Sequence, residues 1–347
     1  MSQFTNLASN LDQYLYPAFT VKDGLILEVN HAAQYIGLQS GEPVAPLMDD
    51  CETYQALKDG CLYVSLSCNQ IDYSAAIIRE NGTDLFVLDH ELQEQQLWTL
   101  ALASQEIRGP AAEMMLGIEM LMAQLPEEKH TGNIRKSMNR LHRALCNMSD
   151  AARYSCETPL HQQTRNMAAI INEVLEKAAA LAETIGVKLA YQPITATVDS
   201  LTDSEKLERA ILNLISNALK VTPTGGTIYI KHTLKHDRLL LTVQDQGPGI
   251  PRELRAHVFS RYLRKPTLGA TGLGLGMVIV RAAAAAHKGT VLLEQPKEGG
   301  TRVTVSFAIR TSMEPTLNEP LPPVDYAGGR DHALLELSDA LPASVYE

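Results

Sequence analysis

The chain has 347 residues, enough for two or three domains, and 45% of them are apolar, so it can bury real cores and is not a disordered chain. A formal net charge of −10 leaves no basic excess to neutralise phosphates, which argues against a general nucleic-acid binder. The five cysteines (Cys51, Cys61, Cys68, Cys146, Cys156) are odd in number and form no C-x-x-C pair, so reduced thiols are expected. The first ten residues lack the basic and apolar regions of a signal peptide, and no apolar run approaches the ~20 residues that span a bilayer. No membrane span and a cytoplasmic location are therefore expected.

Residues 1–90 read as a first unit. Residues 18–30 give strand, turn, strand, with Asp23-Gly24 as the hairpin signal. A short helix follows from His31. Residues 61–68, 73–80 and 83–89 read as three more strands, the last two joined at Asn81-Gly82. Two strands, short helices and three strands resemble a small PAS sensor domain. His31, beside a strand end, reads as structural rather than as a ligand contact.

Residues 91–157 read as a second unit. Leu97, Ala101, Ser104, Arg108, Ala111, Met115, Ile118, Met122 and Leu125 recur at steps of four and three, as do Ile134, Met138, Leu141, Leu145 and Met148. Two such seams, broken at Pro126, predict an antiparallel helical hairpin. A hairpin cannot bury both of its faces alone, so it is expected to form a homodimer as a four-helix bundle. Trp98 and the methionines read as bundle packing. Pro110 is expected to kink the first helix, because it removes one hydrogen bond.

Residues 158–163 read as linker. Residues 167–186 read as an apolar helix ending at Gly186. Strands are expected at 187–194 and 195–200, then a helix containing ILNLISNALK. In it, Asn213 and Asn217 lie four apart, so both amides leave one face and can offer carbonyl oxygens to a hydrated Mg²⁺. Residues 227–233, 238–244, 290–295 and 301–309 complete a mixed sheet. Asp245 ends one strand, where its carboxylate can accept a hydrogen bond from an exocyclic amine such as that of adenine; Gly247 and Gly249 let the backbone turn tightly there. Gly272, Leu273, Gly274, Leu275 and Gly276 open a helix running to Ala286, an arrangement that suits phosphate. Gly299, Gly300 and Thr301 precede the last strand.

These pieces, in this order over residues 164–310, resemble the N, G1 and G2 boxes of the sensor histidine kinase ATP-binding domain, a fold of the Bergerat type shared with gyrase-type, Hsp90-type and MutL-type ATPases. Residues 258–264 resemble the intervening F box. The resemblance implies ATP and Mg²⁺ as cofactors, Asn217 as the Mg²⁺ residue, Lys220 as the phosphate contact and Asp245 as the adenine reader. Val221 departs from the family's aromatic residue. The segment 251–271 would be the ATP lid, where Arg261, Arg264 and Lys265 either meet phosphate or form a solvated basic loop.

On the first helix of the hairpin, residues 103–110, ASQEIRGP, resemble the H box, with Ser104, Glu106, Ile107, Arg108 and Pro110 in place. The phosphoacceptor His is replaced by Gln105, just off the apolar seam and 112 positions before Asn217. Imidazole offers a nitrogen lone pair, whereas a carboxamide nitrogen is delocalised into its carbonyl, so Gln105 is not expected to accept phosphate. Glu106 is left with no imidazole to serve. Gly109, where the family's phosphatase activity uses Thr or Asn, has no side chain to orient a water. His90, His130 and His142 are weak substitutes.

The fold class expected is thus α+β and multidomain: a PAS-like unit at 1–90, a dimerising hairpin at 91–157, an α/β-sandwich ATP-binding domain at 164–310, and a Pro-rich, acidic, mostly disordered tail at 311–347. The function expected is that of a sensor histidine kinase homologue in two-component signalling that binds ATP·Mg²⁺ and signals by conformation, as a pseudokinase. Alternatives are an active kinase phosphorylating a His in trans, on a second histidine kinase or a carrier, or at a non-standard site, and a nucleotide-independent docking scaffold for a response regulator.

Overall fold

The computed structural model describes residue 11 and most of 14–346; residues 1–10, 12, 13, 15, 49, 50, 58, 59, 70, 81, 90–93, 124–128, 154–161, 251–274, 311–326, 328 and 347 lie outside the description. The first unit begins with strands β1 (Ala18–Lys22) and β2 (Leu25–Val29). Asp23 and Gly24 between them both take positive φ, 51° and 79°, the geometry that a two-residue hairpin with right-handed strand twist requires. Helix α1 (His31–Tyr35) is capped by Asn30, whose Oδ1 accepts from the Ala33 N–H. Helix α2 (Cys51–Ala56), which the periodicity does not reveal, precedes β3 (Gly60–Cys68), β4 (Ile71–Glu80) and β5 (Thr83–Asp89). The five strands pair antiparallel in the order β2-β1-β5-β4-β3.

Helices α3 (Glu94–Met122) and α4 (Lys129–Arg153) pack side by side. Helix α3 runs on through Pro110. Ser104, Ala111, Met115 and Met122 on α3 and Met138 and Leu145 on α4 are buried, as the seam predicts. Arg108, Ile134 and Leu141, placed in the same seam, are exposed. With Leu102, Ile107, Met114, Leu116, Met120 and Leu121 they leave apolar surface on the hairpin beyond what one chain covers.

The third unit starts with β6 (Gln163–Asn166), so the linker expected to reach residue 163 ends one residue sooner. Its helices are α5 (Met167–Thr184), α6 (Ser204–Val221) and α7 (Gly276–Ala286). Asn166 caps α5 through the N–H groups of Ala168 and Ala169, and Asp203 caps α6 through that of Lys206. Strand β7 is short (Lys188–Ala190), and β8 (Asp199–Thr202) lies later than expected and pairs with β6 in a small separate sheet. Strands β9 (Thr227–Lys235), β10 (Arg238–Gln244), β11 (Val291–Glu294) and β12 (Arg302–Ala308) fall where alternation places them. Met167, Ile171, Leu207, Ile211 and Ile215 from the helices and Ile228, Leu239, Val305 and Phe307 from the strands share one core.

The two sheets of the first and third units are continuous. Strand β3 pairs antiparallel with β11 through Cys61↔Leu293, Leu62↔Leu292 and Tyr63↔Val291, giving ten strands in the order β2-β1-β5-β4-β3-β11-β12-β10-β9-β7. Successive side chains of a strand point to opposite faces. Leu62, Val64 and Leu66 enter the core of the first unit, while Cys61 and Tyr63 enter that of the third.

The tail corrects an expectation. Within the stretch 311–347 read as disordered, residues 331–346 fold as helix α8 (His332–Glu336) and a 3-10 turn (Ala343–Tyr346), packed on α4, α5 and α6. Ala333, Leu335, Leu337 and Leu341 are buried in or against the core of the third unit, and Glu336 and Asp339 are paired with cations. Apolar spacing outweighs the acidic, Pro-rich composition because a docking surface exists within the same chain.

Candidate nucleotide site

Helix α6 is amphipathic, and its length brings Asn213, Asn217 and Lys220 to the side away from the sheet. Ile211 and Ile215 anchor the opposite side in the core. Asn213 is fully buried and Asn217 half-buried. Across from α6, β10 ends at Asp245. Its Oδ1 accepts from the N–H groups of Gly247 at 2.8 Å and Thr301 at 3.0 Å. Burial pushes the Asp245 carboxyl up from its ordinary pKa, against the pull of those donors and of the Thr301 side chain. A carboxylate fixed by two backbone N–H groups keeps one orientation, which is what reading a base edge demands.

The glycines set close approaches rather than loose turns. A Cβ on Gly247 would lie 2.7 Å from Val221 Cγ2, so the residue standing in the family's aromatic position packs against the G1-type turn. A Cβ on Gly276 would lie 2.6 Å from Asn213 Oδ1, so only glycine lets α7 start against α6. Gly249 (φ 77°) and Gly300 (φ 81°) need positive φ, and a Cβ on Gly300 would strike Asp245 O at 2.1 Å. Among the described residues no side chain caps α7, whose N-cap position is Leu275.

Asn213 approaches Gly276, next to Leu275, at the start of α7; Val221 approaches Gly247; Gly249 lies beside Gly300; Asp245 meets Gly247, Gly300 and Thr301; and Asn217 and Lys220 follow Asn213 along α6. Gly272, Leu273 and Gly274, the F-box stretch and the lid cations Arg261, Arg264 and Lys265 lie outside the described residues. Gln105 and Glu106 lie on α3, exposed, with Ser104 beside them turned inward. Gly109 is exposed, with nothing within 4 Å of where a Cβ would be. His142 contacts Arg330.

Residues that the motifs do not point to complete the site. Arg143 and Arg209 are buried, 5% and 2% exposed, and face the tail's Glu336, which is 0% exposed. Arg143 Nε donates to Glu336 Oε2 at 2.9 Å, and Arg209 Nε to Oε1 at 3.0 Å. Arg143 Nη2 also donates to Asn213 Oδ1 at 2.9 Å. Asn213 Nδ2 donates to Arg209 O at 2.8 Å and to Glu336 Oε2 at 3.2 Å. Asp339 accepts from Arg140 (3.0 Å), Arg143 (2.9 Å) and Lys220 (3.2 Å). Arg209 also pairs with Asp150 and donates to Asn147 on α4. Burial alone would raise the pKa of Asp339, but Lys220 and Arg143 beside it hold the carboxyl below its ordinary range. Burial pulls the Lys220 ammonium down, against the attraction of Asp339. The sequence signal available for this cluster was the three-residue spacing of Glu336 and Asp339 on an apolar-periodic stretch.

The residue types present suit a nucleotide, with a fixed carboxylate, two carboxamides and cations, while Asn213 and Lys220 are engaged here by Arg143, Arg209, Glu336 and Asp339. Residues 202–311 match the family model of the histidine kinase-, DNA gyrase B- and HSP90-like ATPases. The signal transduction histidine-protein kinase/phosphatase MprB of Mycolicibacterium smegmatis is 30% identical over 229 residues, covering 60% of this chain and 44% of that protein. The sensor histidine kinase TmoS of Ectopseudomonas mendocina is 40% identical over 111 residues, 31% of this chain and 11% of that one. The chain thus spans less than half the length of these curated relatives. Full-length ShkA, solved in complex with AMPPNP, shares the fold at a TM-score of 0.50 and 23% identity, over 64% of this chain and 47% of that one. By its ATPase-type domain and these relatives, the chain is similar to the sensor histidine kinase family over 60% of its length.

Proposed function

We propose that this protein is a two-component signalling member of that family which binds ATP·Mg²⁺, dimerises through its hairpin, and does not phosphorylate itself at the usual position. The observation that carries the reading is the pairing of an ATPase-type domain over residues 202–311 with Gln105 at an exposed helical position. Asp245 reads the adenine, Asn217 and Asn213 hold the cation's water shell, Lys220 meets phosphate, and the glycines let backbone N–H groups approach it. The bound nucleotide supplies a transferable phosphoryl group and the free energy of its own binding. A carboxamide at this outward-facing helix position offers no free nitrogen lone pair to receive that group, so the useful output of binding is a change in how α3–α4 and the ATPase domain pack.

The first unit, with its antiparallel order β2-β1-β5-β4-β3, suits a PAS-like sensor. The apolar groove between α3 and α4, lined by Ala111, Met115, Ile118, Ile134, Met138 and Leu141, suits the matching hairpin of a second copy. No described helix is long and apolar enough to cross a membrane. A response regulator or a second histidine kinase is the partner that the family relation suggests. Incubation with γ-labelled ATP and Mg²⁺ tests the reading. The protein is expected to bind ATP without becoming labelled, and Gln105→His to acquire acid-labile label. Acid-labile label on the unaltered protein would overturn it and favour the alternative of a non-standard acceptor.

A further inference from the structure

We infer that the C-terminal segment 330–346 is an internal ligand of the ATPase domain, a carboxylate latch that competes with nucleotide phosphates for Asn213 and Lys220 while strapping α4 to α6. The inference rests on the reading of α6 as the nucleotide face.

The tail runs along α6. His332 Nδ1 meets Glu208 Oε2 at 2.8 Å near the start of the helix. Glu336 meets Arg209 and Asn213 in the middle. Asp339 meets Lys220 near the end. The segment therefore crosses the positions at which Asn213, Asn217 and Lys220 follow one another at helical spacing. It is held on the hairpin as well: Arg330 pairs with Glu119 on α3, Arg140 and Arg143 on α4 pair with Asp339, and Arg135 Nη1 donates to Tyr346 O at 3.0 Å.

Occupancy sets the two states in competition. A carboxamide has two N–H donors and one carbonyl oxygen. In Asn213 both donors are taken, by Arg209 O and Glu336, and the oxygen accepts from Arg143. Lys220 is engaged by Asp339. Both Asn213 N–H donors would have to leave their present partners to serve a nucleotide, and Lys220 would have to share its ammonium between phosphate and Asp339. Charge points the same way. Arg140, Arg143, Arg209 and Lys220 converge on Glu336 and Asp339, with Asp150 as a further anion. Lift the segment away and four cations remain with too few anions beside them. A buried cation without a partner is costly, so the cluster needs either the tail's carboxylates or phosphate oxygens. The side chains that clasp the tail are of the kind that clasp phosphate, and planar guanidinium groups suit both.

The docked segment also shows an imperfect fit: among the described residues, the hydroxyl of Ser338, two positions after Glu336, and that of Ser216 on α6 are buried with no hydrogen-bond partner. Unsatisfied hydroxyls weaken a docked state relative to one in which water reaches them. Binding of nucleotide would thereby release the hairpin from the ATPase domain, converting occupancy into a change of domain packing.

The experiment uses the full chain. Hydrogen exchange of residues 331–346 is followed with and without saturating Mg·ATP, and Mg·ATP affinity is measured by calorimetry for the unaltered protein, Asp339→Asn, Glu336→Gln with Asp339→Asn, and Asn217→Asp. Competition predicts that Mg·ATP accelerates exchange in the segment at least tenfold, and that the latch variants bind Mg·ATP at least tenfold more tightly. The exchange arm needs no variant to fold, and Asp339→Asn leaves the buried Glu336 in place. If Asn217→Asp abolishes binding while the segment stays protected and the latch variants keep the original affinity, the latch inference is wrong and the nucleotide site stands. If Asn217→Asp binds Mg·ATP unchanged, or no form binds it, the site reading fails and the latch with it.

Discussion

Gly60 is the point at which to break the junction between the two large units. It has φ of 117°, a conformation that L-residues avoid at a cost of about 1–3 kcal/mol. A Cβ there would also lie 2.5 Å from Leu293 O, a backbone atom of β11 that cannot rotate aside. Gly60→Ala must therefore either move β3 or move β11. The pairing at stake comprises three residue pairs, Cys61↔Leu293, Leu62↔Leu292 and Tyr63↔Val291. At about 1 kcal/mol net per backbone hydrogen bond, the ladder holds the junction by roughly 3 kcal/mol, so a strain of the same order brings the open and closed forms near balance. Each unit keeps most of its own core, so folding should survive. The measurement is hydrogen exchange by mass spectrometry on peptides covering β3 and β11. Exchange in β11 should quicken by about ten- to a hundredfold, since each tenfold corresponds to about 1.4 kcal/mol. Unchanged protection in β11, with Gly60→Ala shown to be folded, would refute the argument that this glycine exists for the junction.

Other substitutions test other links. Asp245→Asn and Asn217→Asp should each abolish ATP binding measured by calorimetry, and unchanged affinity in both would remove the site assignment. Ile134→Glu with Leu141→Glu places charge on exposed apolar positions of α4 and should shift light-scattering mass from dimer to monomer; a monomeric unaltered protein would end the proposal of a hairpin dimer. His287 is fully buried, with Nδ1 donating to Ala283 O and Nε2 accepting from Asp203 N–H, and burial lowers its pKa below 6.5. Its neutral form is the one the fold accepts. The stability tied to it is present above pH ~6.5 and is lost as the pH falls toward the lower folded value, with a slope of at most about 1.4 kcal/mol per pH unit. Thermal melts between pH 5 and 8 should show that acid slope, and His287→Gln should flatten it.

The elements of the ATPase-type domain were legible because short-range chemistry sets them. Alternation in RLLLTVQ gave β10, helical spacing in ILNLISNALK gave α6, and Asp23-Gly24 gave the first hairpin, each within a window of a few residues. Strand β8 was misplaced by a few residues, because 195–200 and 199–202 are equally good short strands until β6 supplies a partner. The exposed Ile134 and Leu141 carry the same periodicity as the buried Met138 and Leu145, and one chain cannot reveal which face a second helix covers. The tail was the largest omission. Composition reports what a segment can bury on average, whereas Leu335 and Leu337 bury against a surface built by residues more than a hundred positions away. The clasp of Arg143, Arg209 and Glu336 has no motif at all; it exists only where three distant segments meet.

Strand β3 gives the molecule a form of transmission that needs no hinge. Its odd residues 61 and 63 belong to one hydrophobic core and its even residues 62, 64 and 66 to another. A displacement of the strand cannot be absorbed on one side alone, and a slip of one residue would exchange the two sets of side chains, each into the wrong core. Intermediate settings are therefore disfavoured, and the strand acts as a detent with discrete positions. A stimulus acting on the first unit would reach the ATPase domain as a step, with a threshold set by the pairing between β3 and β11, and not as a graded push.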